Sequence, residues 1–258
     1  MKKAIVAVLV AVLLTSGLLA GCVGGMVIGS GNLKTEEMDF SEFDRVEVGS
    51  AFEVEIAQSD SYRVSITADD NLFDYIQVSK EGATLKIRLK MASYSAVTTR
   101  AEITMPQLRG LDLSGATRGT ISGFSSTENV DIKVSGASSL DLAEMSTGDV
   151  ELDMSGASTV TGDLIAGDVE FDISGASTVQ LEGSASDIVA EASGASHVKL
   201  ADFTVNNADV RLSGASTGTV NLDGRLDADL SGASNLSYIG EPTMGTINTS
   251  GASTLSKK

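Results

Sequence analysis

The sequence predicts an all-β chain folded as a parallel β-helix, or β-solenoid, with coils of about 20 residues. Three observations predict it. The tetrapeptide Ser-Gly-Ala-Ser/Thr begins at Ser114, Ser135, Ser155, Ser174, Ser193, Ser213, Ser231 and Ser250, at spacings of 21, 20, 19, 19, 20, 18 and 19 residues. Self-similarity at so steady a period marks stacked repeats. Apolar and polar residues alternate on both sides of each copy, which is the mark of half-buried strands. Finally, aromatic residues make up 4% of the chain, with no Trp, while Gly is frequent and Pro scarce. A core of Val, Ile, Leu, Ala and Met suits a thin, regularly stacked interior.

The chain opens with Lys2 and Lys3, then an apolar stretch from Ala4 to Leu14. That stretch is too short for a comfortable membrane span and fits the middle of an export signal. Leu19-Ala20-Gly21-Cys22 follows it and resembles a prokaryotic lipobox. Residues 1–21 are therefore expected to be a lipoprotein signal peptide, cleaved before Cys22, with a diacylglyceryl group on the Cys22 thiol. Lipidation accounts for an exported chain that keeps a single cysteine and forms no internal disulfide. Dual acylation at one end gives stable membrane attachment. Residues 22–38, with Gly24, Gly25, Gly29 and Gly31, read as the lipidated flexible tether. No later run of about 20 apolar residues offers a second membrane span.

Residues 39–110 read as a less regular β-rich start or cap of the solenoid. Arg45-Val46-Glu47-Val48-Gly49-Ser50-Ala51 looks like a degenerate first coil. Phe52–Ile56, Tyr62–Ile66 and Thr84–Leu89 alternate cleanly, and Asp69–Ile76 breaks the alternation as a helical turn would.

Residues 111–258 are the repeat region. One, three and five residues before each motif serine the chain is mostly apolar, as in Val150, Leu152, Met154 and Val169, Phe171, Ile173. The residues between are polar, as in Glu151, Asp153 and Glu170, Asp172. Asn129, Asp149, Asp168, Asp187 and Asn207 stand where each strand opens and are turn-forming types. After the motif a second alternation turns Leu140, Leu142, Val179, Leu181, Val198 and Leu200 inward. Each coil is thus a strand, a tight corner, a second strand and a looser loop. The corner Gly supplies φ > 0, and the corner Ala is expected where the chain turns inward. Near-identical repeats let equivalent strands lie about 4.8 Å apart in register, so eight coils make a rod on the order of 40 Å long. The chain ends at Lys257-Lys258, soon after the last motif. Those lysines discourage edge pairing, or the end packs on another copy, so homo-oligomerisation stays open.

The formal net charge of −17 argues against nucleic acid, whose phosphates need a basic surface, and against electrostatic docking on anionic lipid. Four features bear on chemistry. The carboxylates Glu151, Asp153, Glu170 and Asp172, with Asp131 and Glu191 nearby, form a ladder whose repulsion Ca²⁺ would relieve. Lys133 and Arg211 interrupt it, which favours a solvated charged face. A polysaccharide-active β-helix would need acids gathered in a cleft, whereas these lie on a regular strand face. The Thr-x-Thr pairs Thr159/Thr161 and Thr217/Thr219 are broken by Ser139/Asp141, Thr178/Gln180 and His197/Lys199, so no flat threonine array forms. His197, the only histidine, falls on an outward position beside Lys199.

Gly29-Ser30-Gly31-Asn32, Phe43–Val48, Ala51–Ile56, Ala68-Asp69-Asp70-Asn71-Leu72, Leu85-Lys86-Ile87 and the Ser-Gly-Ala-Ser copies together resemble the head GIN domain family of putative autotransporter adhesins, a domain of unknown function. The resemblance spans roughly residues 29–255. It implies a right-handed β-helix-like fold in cell-envelope proteins, often lipoproteins, and carries no catalytic residues. No C-terminal membrane barrel is expected from the sequence, and in this the chain departs from an autotransporter. The expectation is a non-enzymatic, exported envelope lipoprotein that uses a β-solenoid for adhesion or scaffolding. Its partners would be the membrane, through the N-terminal lipid, and an envelope glycan or protein. An envelope sensor subunit and a polysaccharide-active enzyme are the alternatives.

Overall fold

The protein is described by a computed structural model that covers residues 26–258. The signal-peptide reading and Cys22 lie outside the described residues. Nine strands precede the repeats: β1 (Met26–Ile28), β2 (Leu33–Met38), β3 (Arg45–Val48), β4 (Glu53–Gln58), β5 (Arg63–Asp69), β6 (Ile76–Glu81), β7 (Thr84–Leu89), β8 (Ser93–Ser95) and β9 (Thr99–Met105). A 3-10 turn at Asp70–Leu72 stands where the alternation breaks.

The repeats then supply strands in pairs, one on each side of a Ser-Gly-Ala corner. These are β10 (Gly110–Leu113) and β11 (Arg118–Ser122), β12 (Val130–Val134) and β13 (Ser139–Ser146), and β14 (Val150–Met154) and β15 (Thr159–Ile165). They continue with β16 (Val169–Ile173) and β17 (Thr178–Ser184), β18 (Asp187–Ala192) and β19 (His197–Val205), and β20 (Asn207–Leu212) and β21 (Thr217–Leu222). The last are β22 (Arg225–Leu230) and β23 (Asn235–Ile239), then β24 (Thr243–Thr249) and β25 (Thr254–Lys257).

The strands before the corners stack into an 11-stranded sheet, and those after the corners into a 12-stranded sheet. Every rung between successive coils is parallel, and the register is unbroken along most of them, as in Val150↔Val169 through Met154↔Ile173. This is a parallel β-solenoid. The inward positions read from the alternation are buried: Val150, Leu152, Met154, Phe171, Leu140, Val179 and Leu200 all lie in one continuous core. Phe171 stacks beside Ala190 on the next rung. The coil that carries the small residues Ala190 and Ala192 carries the buried Phe203 on its other strand.

Coils of unequal length stay in register because the surplus is bulged out. Leu142 and Met145 oppose Gly162 and Leu164, so one extra residue sits between them, and Glu144 there adopts φ 59. A further one-residue excess lies between Lys199 and Asp202 against Gln180 and Glu182. Bulges of this kind keep the ladders on both sides intact.

At the corners the glycine is required twice. Gly175 has φ +77, and a Cβ there would lie 2.3 Å from the carbonyl oxygen of Gly156 one coil below. The Ala176 N–H donates to that same oxygen at 2.8 Å. The alanine, however, does not turn inward. Ala116, Ala137, Ala157 and Ala176 are exposed, and the fourth residue of the motif is buried instead. Its hydroxyl donates to the carbonyl of the first serine, as in Thr117 to Ser114 at 2.8 Å, Ser158 to Ser155 at 2.7 Å and Ser177 to Ser174 at 2.9 Å. A buried hydroxyl without that acceptor would be costly. Among the described residues no buried side-chain nitrogen or oxygen lacks a partner.

Chain order and stacking order part company at the N-terminal end. β3 and β4 form a coil that packs under β10 and β11, as the degenerate-coil reading expected. The later strands β7 and β9 slide in below it, parallel to β3 and β4. Antiparallel strands then close the ends: β6 on β7, and β5 followed by β2 on β9. A cap of this kind covers edges that would otherwise pair with other chains. The tether expected over 22–38 is corrected for its described part. Met26–Ile28 pairs with β8 and Leu33–Met38 pairs with β5.

Two motifs that carried the family resemblance meet in this cap. Gly29-Ser30-Gly31-Asn32 docks on Asp69-Asp70-Asn71. The buried Asp69 carboxylate accepts from the Gly31 N–H at 2.7 Å and from the Thr98 N–H at 2.8 Å. Ser30 Oγ donates to Asp70 at 2.6 Å, and Asn71 Nδ2 donates to the Ile28 carbonyl at 2.8 Å. A Cβ at Gly29 would lie 2.5 Å from the Asp69 carboxylate, so only Gly fits that contact.

Candidate functional site

The charged face predicted from the alternation is the outer surface of the 11-stranded sheet. Parallel register sets its side chains in two rows. One runs Asp131, Glu151, Glu170, Val189, Asp209, Asp227, and the other Lys133, Asp153, Asp172, Glu191, Arg211, Asp229. Glu151 therefore sits directly beside Glu170, and Asp153 beside Asp172, at the rung spacing of about 4.8 Å.

The flanks of this ladder are neutralised. Lys133 bonds Asp153 at 2.5 Å, Arg45 bonds Asp131 at 2.8 Å, and Arg211 bonds Glu191 at 2.5 Å and Asp209 at 2.7 Å. The Lys133 ammonium is pushed above its ordinary value by the hydrogen bond and charge of Asp153. Asp112, on the Lys133 row, is half-buried. Desolvation raises its carboxyl, the neighbouring Glu47 adds to the rise, and Lys133 opposes it. Glu151, Glu170 and Asp172 remain as the open centre of the ladder. Among the described residues no group of three or more His, Cys, Asp or Glu side chains is placed to hold a metal ion.

The strand-opening Asn and Asp residues are more than turn formers: they build a second ladder. Asn129 Oδ1 accepts from the Asp149 N–H at 2.9 Å, Asp149 Oδ1 from Asp168 at 2.9 Å, and Asp168 Oδ1 from Asp187 at 3.2 Å. Asp187 and Asn207 pass the pattern on to Arg225. A groove of about 530 Å³ runs between this ladder and the row of Glu151 and Glu170. The identical offset of these residues in each coil was the available signal, since in-register stacking turns a repeated polar residue into a continuous chain of bonds.

The other candidates stay apart from this face. His197 is exposed on the second sheet, where its Nδ1 lies 2.7 Å from Thr217 Oγ1. Thr161 donates to Asp141 at 3.0 Å, and its rung continues through Gln180 and Lys199, so the threonine rows are interrupted as expected.

A family model described as "Putative auto-transporter adhesin, head GIN domain" matches residues 42–242. The chain belongs to this family. Solved structures repeat the fold of this head GIN chain. A putative adhesin from Parabacteroides merdae is 18% identical with a TM-score of 0.83, and one from Parabacteroides distasonis is 20% identical with a TM-score of 0.84. A third, named a putative lipid binding protein, from Parabacteroides distasonis, is 20% identical with a TM-score of 0.79. Each alignment covers 91% of this chain and 100% of the other. At such identities the likeness is one of fold. The comparison with curated proteins found no match. Family and fold together fit a non-enzymatic adhesion or scaffolding role. Among the described residues no helix is long and apolar enough to cross a membrane.

Proposed function

We propose that this head GIN protein is an exported, lipid-anchored envelope protein that uses its solenoid for adhesion. Its contact surface is the outer face of the 11-stranded sheet. The observation that carries the reading is the rung-by-rung repetition of Glu151, Glu170, Asp153 and Asp172 beside a long groove. A line of equivalent groups gives many weak contacts to a partner that is itself repetitive, such as an envelope polymer, and avidity then exceeds any single contact. The adhesin description of the family supports the reading, as does the Leu19-Ala20-Gly21-Cys22 motif for the anchor.

The test is binding of the chain from residue 23 onward to envelope glycans and whole envelope fractions, with calcium and with chelator. Saturable binding without turnover of the glycan is expected. Strengthening by calcium would assign the open Glu151–Glu170 pair to a cation. Release of shortened glycan, or binding to no fraction, would overturn the adhesion reading. The anchor is tested separately by mass spectrometry of Cys22 in the membrane-extracted full chain. Replacement by Cys22→Ser should free the protein from the membrane.

A further inference from the structure

The capped end differs in character from the rest of the rod. A groove of about 810 Å³ opens there beside Ser50, Ala51 and the Gly115-Ala116 corner, walled by Arg88, Lys90, Met91, Tyr94 and Val97. Met91 is fully exposed, and Met26 and Ile28 are 63% and 60% exposed. Met26 and Ile28 lie on β1 and pair with Ser93 and Ser95, two and four residues along the chain from Met91, which brings β1 to the edge of the groove that Tyr94 lines. A lone exposed apolar side chain needs no explanation, but a group of them on one end does.

The charge is uneven too. Residues 26–110 hold nine basic and fourteen acidic residues, whereas residues 111–258 hold seven and twenty-one. Lys86 takes up Glu47 and Glu81, while Lys90 Nζ donates only to the Asp74 carbonyl, at 2.5 Å. Among the described residues neither Arg88 nor Lys90 has a carboxylate within ion-pair distance. The net charge of −17, which argues against docking on anionic lipid, therefore belongs mostly to the far part of the rod.

Cys22 precedes Met26 by four residues, a reach of at most about 14 Å for an extended chain. Whatever surface holds an acyl chain on Cys22 lies within touch of this patch. We propose that the capped end docks on the lipid headgroup layer of the membrane that holds the anchor. Met26, Ile28 and Met91 enter the interface, and Arg88 and Lys90 meet headgroup phosphates. The inference rests on the acyl anchor of the preceding section. It adds a second contact that fixes how the solenoid leaves the membrane.

The full-length lipidated protein tests it in vesicles of phosphatidylethanolamine and phosphatidylglycerol that carry a quencher-bearing lipid. Met91→Cys and, in a second protein, Met26→Cys receive a fluorophore, with Thr161→Cys on the second sheet as reference. Quenching at 91 and 26 should exceed that at 161 by about threefold or more, and Arg88→Ala with Lys90→Ala should reduce it by about half. Vesicle-bound protein with equal quenching at all three positions would overturn the docking while leaving the anchor in place. Protein that fails to float with vesicles and carries an unmodified Cys22 would overturn the anchor reading itself.

Discussion

Within each corner four residues do four jobs. The first serine offers its carbonyl, the glycine makes the left-handed turn against the glycine below, the alanine caps the outside, and the last Ser or Thr fills the inside. Gly175→Ala should cost about 2–3 kcal/mol, since it combines a strained φ with a contact on the Gly156 carbonyl. Urea unfolding would measure it. The glycine was legible in the sequence because a fixed glycine at a fixed corner implies φ > 0. The alanine was misread, although the strand parity held the answer. If the fifth and seventh residues after the serine face inward, so does the third, and that residue is the buried Ser or Thr. Asp227 shows a local charge effect. Arg225 donates to it at 2.5 and 2.8 Å and the Thr246 N–H at 2.6 Å, which together hold its carboxyl at about 2. Because the folded value lies below the unfolded one, the stabilisation is complete above the ordinary carboxylate range and is lost as pH falls through about 2. In an NMR titration Arg225→Ala should move Asp227 back up towards its ordinary value.

Strands were the most legible elements, because period two names both their faces. Met154, buried between Val134 and Ile173 on neighbouring rungs, should not accept a charge. Met154→Asp is expected to abolish cooperative unfolding, whereas Gln180→Asp, exposed and beside Lys199, should change the melting temperature little. Equal melting for the two would refute the facing of both sheets. The cap was legible only as β-rich. Alternation identified β3, β4, β5 and β7, but nothing local reveals that β7 and β9 slip beneath β3 and β4. Nor does it reveal that the glycine-rich segment expected as a tether is held by side-chain contacts. The clasp depends on Asp69. In Asp69→Asn one of the two N–H donors, from Gly31 or Thr98, meets an amide instead of an oxygen. A loss of about 1–3 kcal/mol is expected. Hydrogen exchange should rise in β1, β2 and β5 and stay unchanged beyond β12.

For the molecule as a whole, the repeat period fixed the architecture. One strand pair per 18 to 21 residues stacks in parallel, and bulges at Glu144, between Lys199 and Thr204 and between Met244 and Ile247 absorb the differences in length. Stacking also turns single residues into surfaces. A carboxylate at one offset becomes a row, and an Asn or Asp at another becomes a hydrogen-bonded spine. The candidate face was visible in the sequence as a pattern of acids. The groove beside it and the cationic, apolar patch at the capped end were not, because both depend on segments distant in the chain coming together. In the proposed function the open centre of the acid ladder makes the binding contact. The most direct measurement compares binding of envelope fractions by the native chain and by a Glu151→Gln, Glu170→Gln, Asp172→Asn variant. These exposed, nearly isosteric changes should leave the melting temperature in place. Apparent affinity is expected to fall about tenfold or more, since each rung lost multiplies through avidity. Unchanged affinity in a fully folded variant would contradict it and move the contact off this face.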